Sequence, residues 1–151
     1  RELDLHDTPP DERFDRFTRL AAALFVVPIA LVTLLDAERQ WFKSCVGVDG
    51  GETAREVSFC AHAMHRRDVM VVPDALHDPR FADNPLVTGE PRMRFYAGAP
   101  LFIDGDLCMG TLCLIDFRPR AFPEEKARQL ADLGALVEQE LANGKGGGAP
   151  R

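Results

Sequence analysis

Asp104-Gly105-Asp106 stands between two runs of mainly apolar, strand-forming residues, Arg92–Ile103 and Leu107–Asp116. Asp-Gly supplies the positive φ that a tight hairpin turn demands, so the two runs are predicted to be antiparallel neighbours. The arrangement recurs upstream, where Ile29–Leu35 and Gln40–Val46 flank the polar turn Asp36-Ala37-Glu38-Arg39. Two hairpins commit the chain to an antiparallel sheet.

Helices are expected at both ends. Thr8-Pro9-Pro10-Asp11 reads as a capped helix start, and Phe14, Phe17, Leu20, Ala21, Leu24 and Phe25 follow at helical spacing until Pro28. Pro123-Glu124-Glu125 opens a last helix with acids at its positive end, running to about Leu141. Asn143 and the glycine-rich 144–151 are expected to form a flexible tail, leaving 1–142 as the domain. Between the hairpins, Val57–His65 reads as a brief amphipathic helix and Val69–Val72 as a short strand. Asp74–Pro91 then carries three prolines, and a connection that long usually covers or lines a site. The order describes an α+β layer, with a central antiparallel sheet of about six strands and both terminal helices on one face.

A chain of 151 residues with 46% hydrophobic content is enough for one buried core. Its net charge of −6 disfavours nucleic acid and anionic membrane surfaces, which reward a positive excess. The longest apolar run, Ala21–Leu35, is broken by Pro28 and Thr33, and the acidic N-terminus is unlike a signal peptide. A cytoplasmic location without membrane partners is expected. Cys45, Cys60, Cys108 and Cys113 make no C-x-x-C pair and read as reduced thiols. Cys60, His62 and His65 would point about 160° and 60° apart in turn on a helix, so no metal site is expected.

The segments PIALVTLLDAERQWFKSCVG, SFCAHA, VVPDALHDPRFADNPLV and RFYAGAPLFIDGDLCMGTLCLID occur in this order. Together they resemble a bacterial GAF domain, from about Leu3 to Leu141. The chain is most similar to GAF domains found beside histidine kinase or diguanylate cyclase modules. The resemblance implies a six-stranded sheet with a loop-covered small-molecule pocket on the face away from the terminal helices. Family ligands include cyclic nucleotides, bilins, haem and metabolites, so neither ligand nor cofactor is named by it. The implied function is a sensing input domain of a bacterial signal-transduction or two-component protein, dimeric through its helices and coupled to a kinase or cyclase output module. The alternative is a GAF fold kept for dimerisation, with a vestigial pocket.

Arg94 and Tyr96 fall on one face by strand alternation, where a guanidinium and a phenol would suit an anionic or polar ligand. The same Arg94 could instead pair with an acid of the Asp74–Glu90 loop. Phe59 and Cys60 on the brief helix, with Asp74, Asp83 and Asn84 in the loop, complete the candidate pocket. The loop residues could equally be turn and cap residues. Trp41, beside Phe42 on the second strand, could wall the pocket or pack in the core. One GAF branch reduces free methionine sulfoxide, and Cys60 falls near one of its cysteines. The stretch Asn84–Tyr96, where the catalytic cysteine of that branch is expected, has none, and Cys113 and Ile115 replace its paired acids. No cysteine stands in a bilin-attachment context either, so no enzyme activity is expected. On the last helix, Leu130, Leu133 and Val137 mark one stripe and Ala127, Ala131 and Gly134 another, one of them expected to pack on the sheet and the other to face a partner subunit.

Overall fold

A computed structural model describes residues 12–35, 40–47, 57–105 and 107–147, with side chains for all except 35, 40–42, 57–58 and 144–147. The elements run α1 (Glu12–Phe25), β1 (Ile29–Leu35), β2 (Gln40–Val46), α2 (Val57–Met64) and β3 (Met70–Val72). A 3-10 turn (Ala75–His77) follows, then α3 (Pro85–Thr88), β4 (Phe95–Ile103), β5 (Leu107–Asp116) and α4 (Glu124–Gly147). The helix start expected at Thr8, the turn 36–39 and residues 48–56 lie outside the described residues, wholly or in part.

Among the described residues the sheet has five strands in the order β2-β1-β5-β4-β3, every neighbouring pair antiparallel. The bounds of β1, β2 and β5 are those the hairpin reading predicts. Asp104 and Gly105 take φ of 58° and 86°, as a tight β4–β5 turn requires. β4 starts later than the expected Arg92. Arg92 turns the chain with a φ of 64°, and the Met93 amide bonds Leu86 of α3 rather than a strand. α4 continues to Gly147, beyond the expected end near Leu141. Among the described residues, no helix is long and apolar enough to cross a membrane.

Alternation divides the sheet's apolar side chains between two layers. On one face Phe14, Ala21 and Phe25 of α1 join Leu130, Leu133, Val137 and Leu141 of α4 over Val32, Leu34, Phe95, Leu101, Leu112 and Leu114. Both terminal helices therefore cover the same face. On the other face α2 and the segment before β4 place Phe59, Ala63, Phe81, Leu86 and Met93 over Ile29, Leu31, Tyr96, Cys113 and Ile115.

Leu130, Leu133 and Val137 are the stripe of α4 that packs in the core, and the small-residue stripe lies beside β4. A Cβ at Gly134 would stand 3.3 Å from the Ala99 Cβ, so this glycine lets α4 lie close on β4. Ala127 and Ala131 line a groove of about 470 Å³ against Ala99, Pro100 and Phe102. The β4 backbone in that groove is poorly suited to pairing with another strand. Pro100 has no N–H, and the Phe102 N–H donates to Glu138 Oε2 at 2.8 Å.

Candidate functional site

The site grows from α2 crossing the face opposite α1 and α4. Phe59 stacks on Phe81, ring centroids 4.1 Å apart and planes within 8°, and leans on Tyr96 at 5.2 Å. One residue on, Cys60 turns its sulfur to the sheet. Its Sγ lies 3.5 Å from Thr111 Oγ1 and accepts the Tyr96 hydroxyl at 3.7 Å. Tyr96 reaches this point because β4 has a glycine two residues later. A Cβ at Gly98 would meet the Tyr96 hydroxyl oxygen at 2.5 Å and its ring at 2.8 Å.

Thr111 of β5 pairs in register with Thr33 of β1. Both are fully buried, and alternation turns Thr33 toward the same face as Leu31. Thr33 Oγ1 has no hydrogen-bond partner among the described residues. The deep part of this face is therefore a niche of neutral polar groups: two threonine hydroxyls, a phenol and the Cys60 and Cys113 thiols. The adjoining Cys60 thiol and burial push the Cys113 thiol well above its ordinary range. Burial, with the same two thiols nearby, pushes the Tyr96 phenol up likewise. The Tyr96 phenol and the Cys113 thiol are therefore held in their protonated, hydrogen-bonding forms.

The sequence candidates divide in two. Phe59, Cys60 and Tyr96 meet in the niche. Arg94 stays half-buried outside it, its Nη1 donating to the carbonyls of Val87 at 3.1 Å and Met93 at 3.0 Å. Those are backbone acceptors rather than a loop acid. Asp74 caps the 3-10 turn through the Leu76 amide at 3.2 Å, and Asn84 caps α3 through the Leu86 amide at 2.8 Å. Asp83 is exposed. Trp41 pairs through its backbone with Leu34, and its side chain is outside the described set. Thr33, Thr111 and Gly98 were missed as site residues. The available signal was that Thr33 is the one hydroxyl in an otherwise aliphatic seven-residue strand.

Among the described residues, no three His, Cys, Asp or Glu side chains gather to hold a metal. The Cys60 and Cys113 thiols are fully buried and the Cys113 thiol is raised in pKa, so the niche suits hydrogen bonding better than covalent chemistry.

The GAF domain profile matches residues 9–141. A Pseudomonas aeruginosa protein named as a cyclic di-GMP phosphodiesterase is 49% identical over 137 residues, covering 90% of this chain and 23% of that protein. The chain thus spans under a quarter of that curated relative. The GAF domain of a phosphoenolpyruvate-protein phosphotransferase from Coxiella burnetii superposes with a TM-score of 0.75 at 15% identity, covering 97% of this chain and 91% of that one. A type II free methionine-R-sulfoxide reductase from Thermoplasma acidophilum gives 0.71 at 12% identity, covering 87% and 92%. At such identities these two structures share the fold alone. By the extent of the profile match, the chain belongs to the GAF domain family.

Proposed function

We propose that this domain is a small-molecule-sensing input module, without catalysis of its own, in a larger cytoplasmic signalling protein. The observation that carries the reading is Thr33 Oγ1, fully buried and unpartnered among the described residues beside Thr111 and Cys60. An unmet buried hydroxyl costs about 1–3 kcal/mol, a cost that a bound ligand supplying the missing hydrogen bond would offset. The groups around it are neutral, and the Arg94 guanidinium is engaged with backbone carbonyls. The part of a ligand that reaches the niche would therefore be an uncharged donor or acceptor.

The sheet lies between that niche and the two terminal helices. A ligand that prefers one packing of α2 on β4 and β5 would shift the population of α1 and α4 arrangements on the opposite face. The similarity to a small part of a longer signalling protein supports an output module outside this chain.

A second reading keeps the fold for association alone. It is favoured by the Phe59–Phe81 stack, which already fills much of this face. Native mass spectrometry of the purified chain, followed by a thermal-shift panel of neutral metabolites, separates the two. The sensing reading expects a bound mass or a raised Tm that Thr33→Val abolishes. No ligand from either experiment, with Thr33→Val merely stabilising, would favour association.

A further inference from the structure

Thr33, Thr111 and Tyr96 each bring one O–H to the buried niche behind α2, beside the sulfurs of Cys60 and Cys113. The Tyr96 hydrogen goes to Cys60 Sγ at 3.7 Å, and Thr111 Oγ1 shares a hydrogen bond with the same sulfur at 3.5 Å. Thr33 Oγ1 is left with no partner among the described residues. A buried lone pair left empty is tolerated more often than a buried hydrogen without an acceptor. What the niche lacks is an acceptor.

The surrounding protein does not supply one. Sulfur accepts weakly. β1 and β5 each pair with a strand on both edges, which turns their carbonyls along the sheet rather than into the niche. The other buried polar side chains among the described residues are engaged elsewhere. Thr18 and Ser44 bond each other on the α1 side of the sheet, where Lys43 lies over the Phe14 ring at 5.5 Å. Asp116 accepts from the Phe117 amide and from Arg120. The remaining walls of the niche are apolar, with Leu31, Phe59, Phe81 and Ile115 in the same cluster. An anion placed there would lose its hydration with no buried cation on this face to replace it.

We propose, as a narrowing of the sensing reading and resting on it, that the niche takes an uncharged, largely apolar compound with a carbonyl oxygen, as in a ketone, ester or lactone. The carbonyl accepts the Thr33 hydrogen on one lone pair. Thr111, paired in register with Thr33, can turn its own hydrogen from Cys60 Sγ to the other. A compound offering only an N–H would donate to Thr33 and still leave the threonine hydrogen without an acceptor.

Two five-membered rings of similar size test the inference, cyclopentanone as an acceptor and pyrrole as a donor. Binding to the whole chain is followed by NMR titration of the Thr33 and Thr111 amide signals, so that contact elsewhere on the surface does not count. Cyclopentanone is expected to bind wild type at least about tenfold more tightly than pyrrole. Thr33→Val should remove that preference, and Thr33→Ser, which keeps the hydroxyl, should retain it, with circular dichroism checking both folds. A preference for pyrrole that depends on the Thr33 hydroxyl would overturn the carbonyl inference and leave the sensing reading standing. No shift at Thr33 or Thr111 with either ring, or a cyclopentanone preference that survives Thr33→Val, would also overturn it. The sensing reading itself falls on a different result, the absence of any Thr33-dependent ligand in the mass and thermal-shift experiments.

Discussion

Arg120 donates from Nε to the Asp116 carboxylate at 2.7 Å, and its other two nitrogens reach across to the end of α1. Nη1 donates to the Phe25 carbonyl at 2.9 Å and Nη2 to that of Val26. The Arg120 amide also donates to Pro73 at the end of β3. One side chain and its backbone therefore join the ends of α1, β3 and β5. With Asp116 6% exposed and Arg120 24% exposed, removing the cation strands a nearly buried carboxylate. Arg120→Ala is expected to lower stability by about 2–4 kcal/mol in urea denaturation, and Arg120→Lys by less.

Val26 stands just past α1 with a φ of 56°, a left-handed conformation that a β-branched residue resists. Its side chain is 72% exposed, so little packing is lost when it is removed. Val26→Gly should raise stability by about 0.5–1 kcal/mol, read as a higher urea midpoint with an unchanged m-value.

Gly98→Ala should be costly because the new methyl meets a buried ring rather than open space. A loss of about 2–3 kcal/mol is expected, since Tyr96 is pinned by Phe59 and has nowhere to move. In a Tyr96→Val background the same substitution should cost less than half as much. Equal costs in both backgrounds would break the proposed contact.

Alkaline pH should weaken the fold through Tyr96 and Cys113. Both are acids whose folded pKa values are raised, so the unfolded chain releases their protons first. Their contribution is fully present below the unfolded values, near 9 for the thiol and 10 for the phenol, and is lost as pH rises above them. Urea midpoints in reductant should fall from about pH 9 upward, and Tyr96→Phe with Cys113→Ala should flatten the slope. Tyr96 is the one tyrosine of the chain, so ultraviolet titration should show phenolate appearing together with unfolding.

The hairpins were legible because local chemistry dictates them: Asp104-Gly105 sets one turn, and apolar, strand-forming runs set the strands beside it. The helices were legible for the same reason, as 3.6-residue spacing is a local property, although Leu20 and Leu24 of the expected stripe stand exposed. Arg94 was not, because alternation was extended one residue beyond the point where β4 begins. Its partners, the Val87 and Met93 carbonyls, depend on how α3 folds back. Thr33 and Thr111 face each other only through the β1–β5 pairing, which joins strands about eighty residues apart. Nothing within either strand announces that meeting.

On the proposed reading, the Thr33 hydroxyl is kept for a ligand at a cost in stability. Isothermal titration of wild type and Thr33→Val, using the compound captured by native mass spectrometry, tests it together with the urea midpoint of each free protein. Thr33→Val is expected to be more stable by about 1 kcal/mol and to bind the compound at least about tenfold more weakly. Unchanged affinity in Thr33→Val would contradict it.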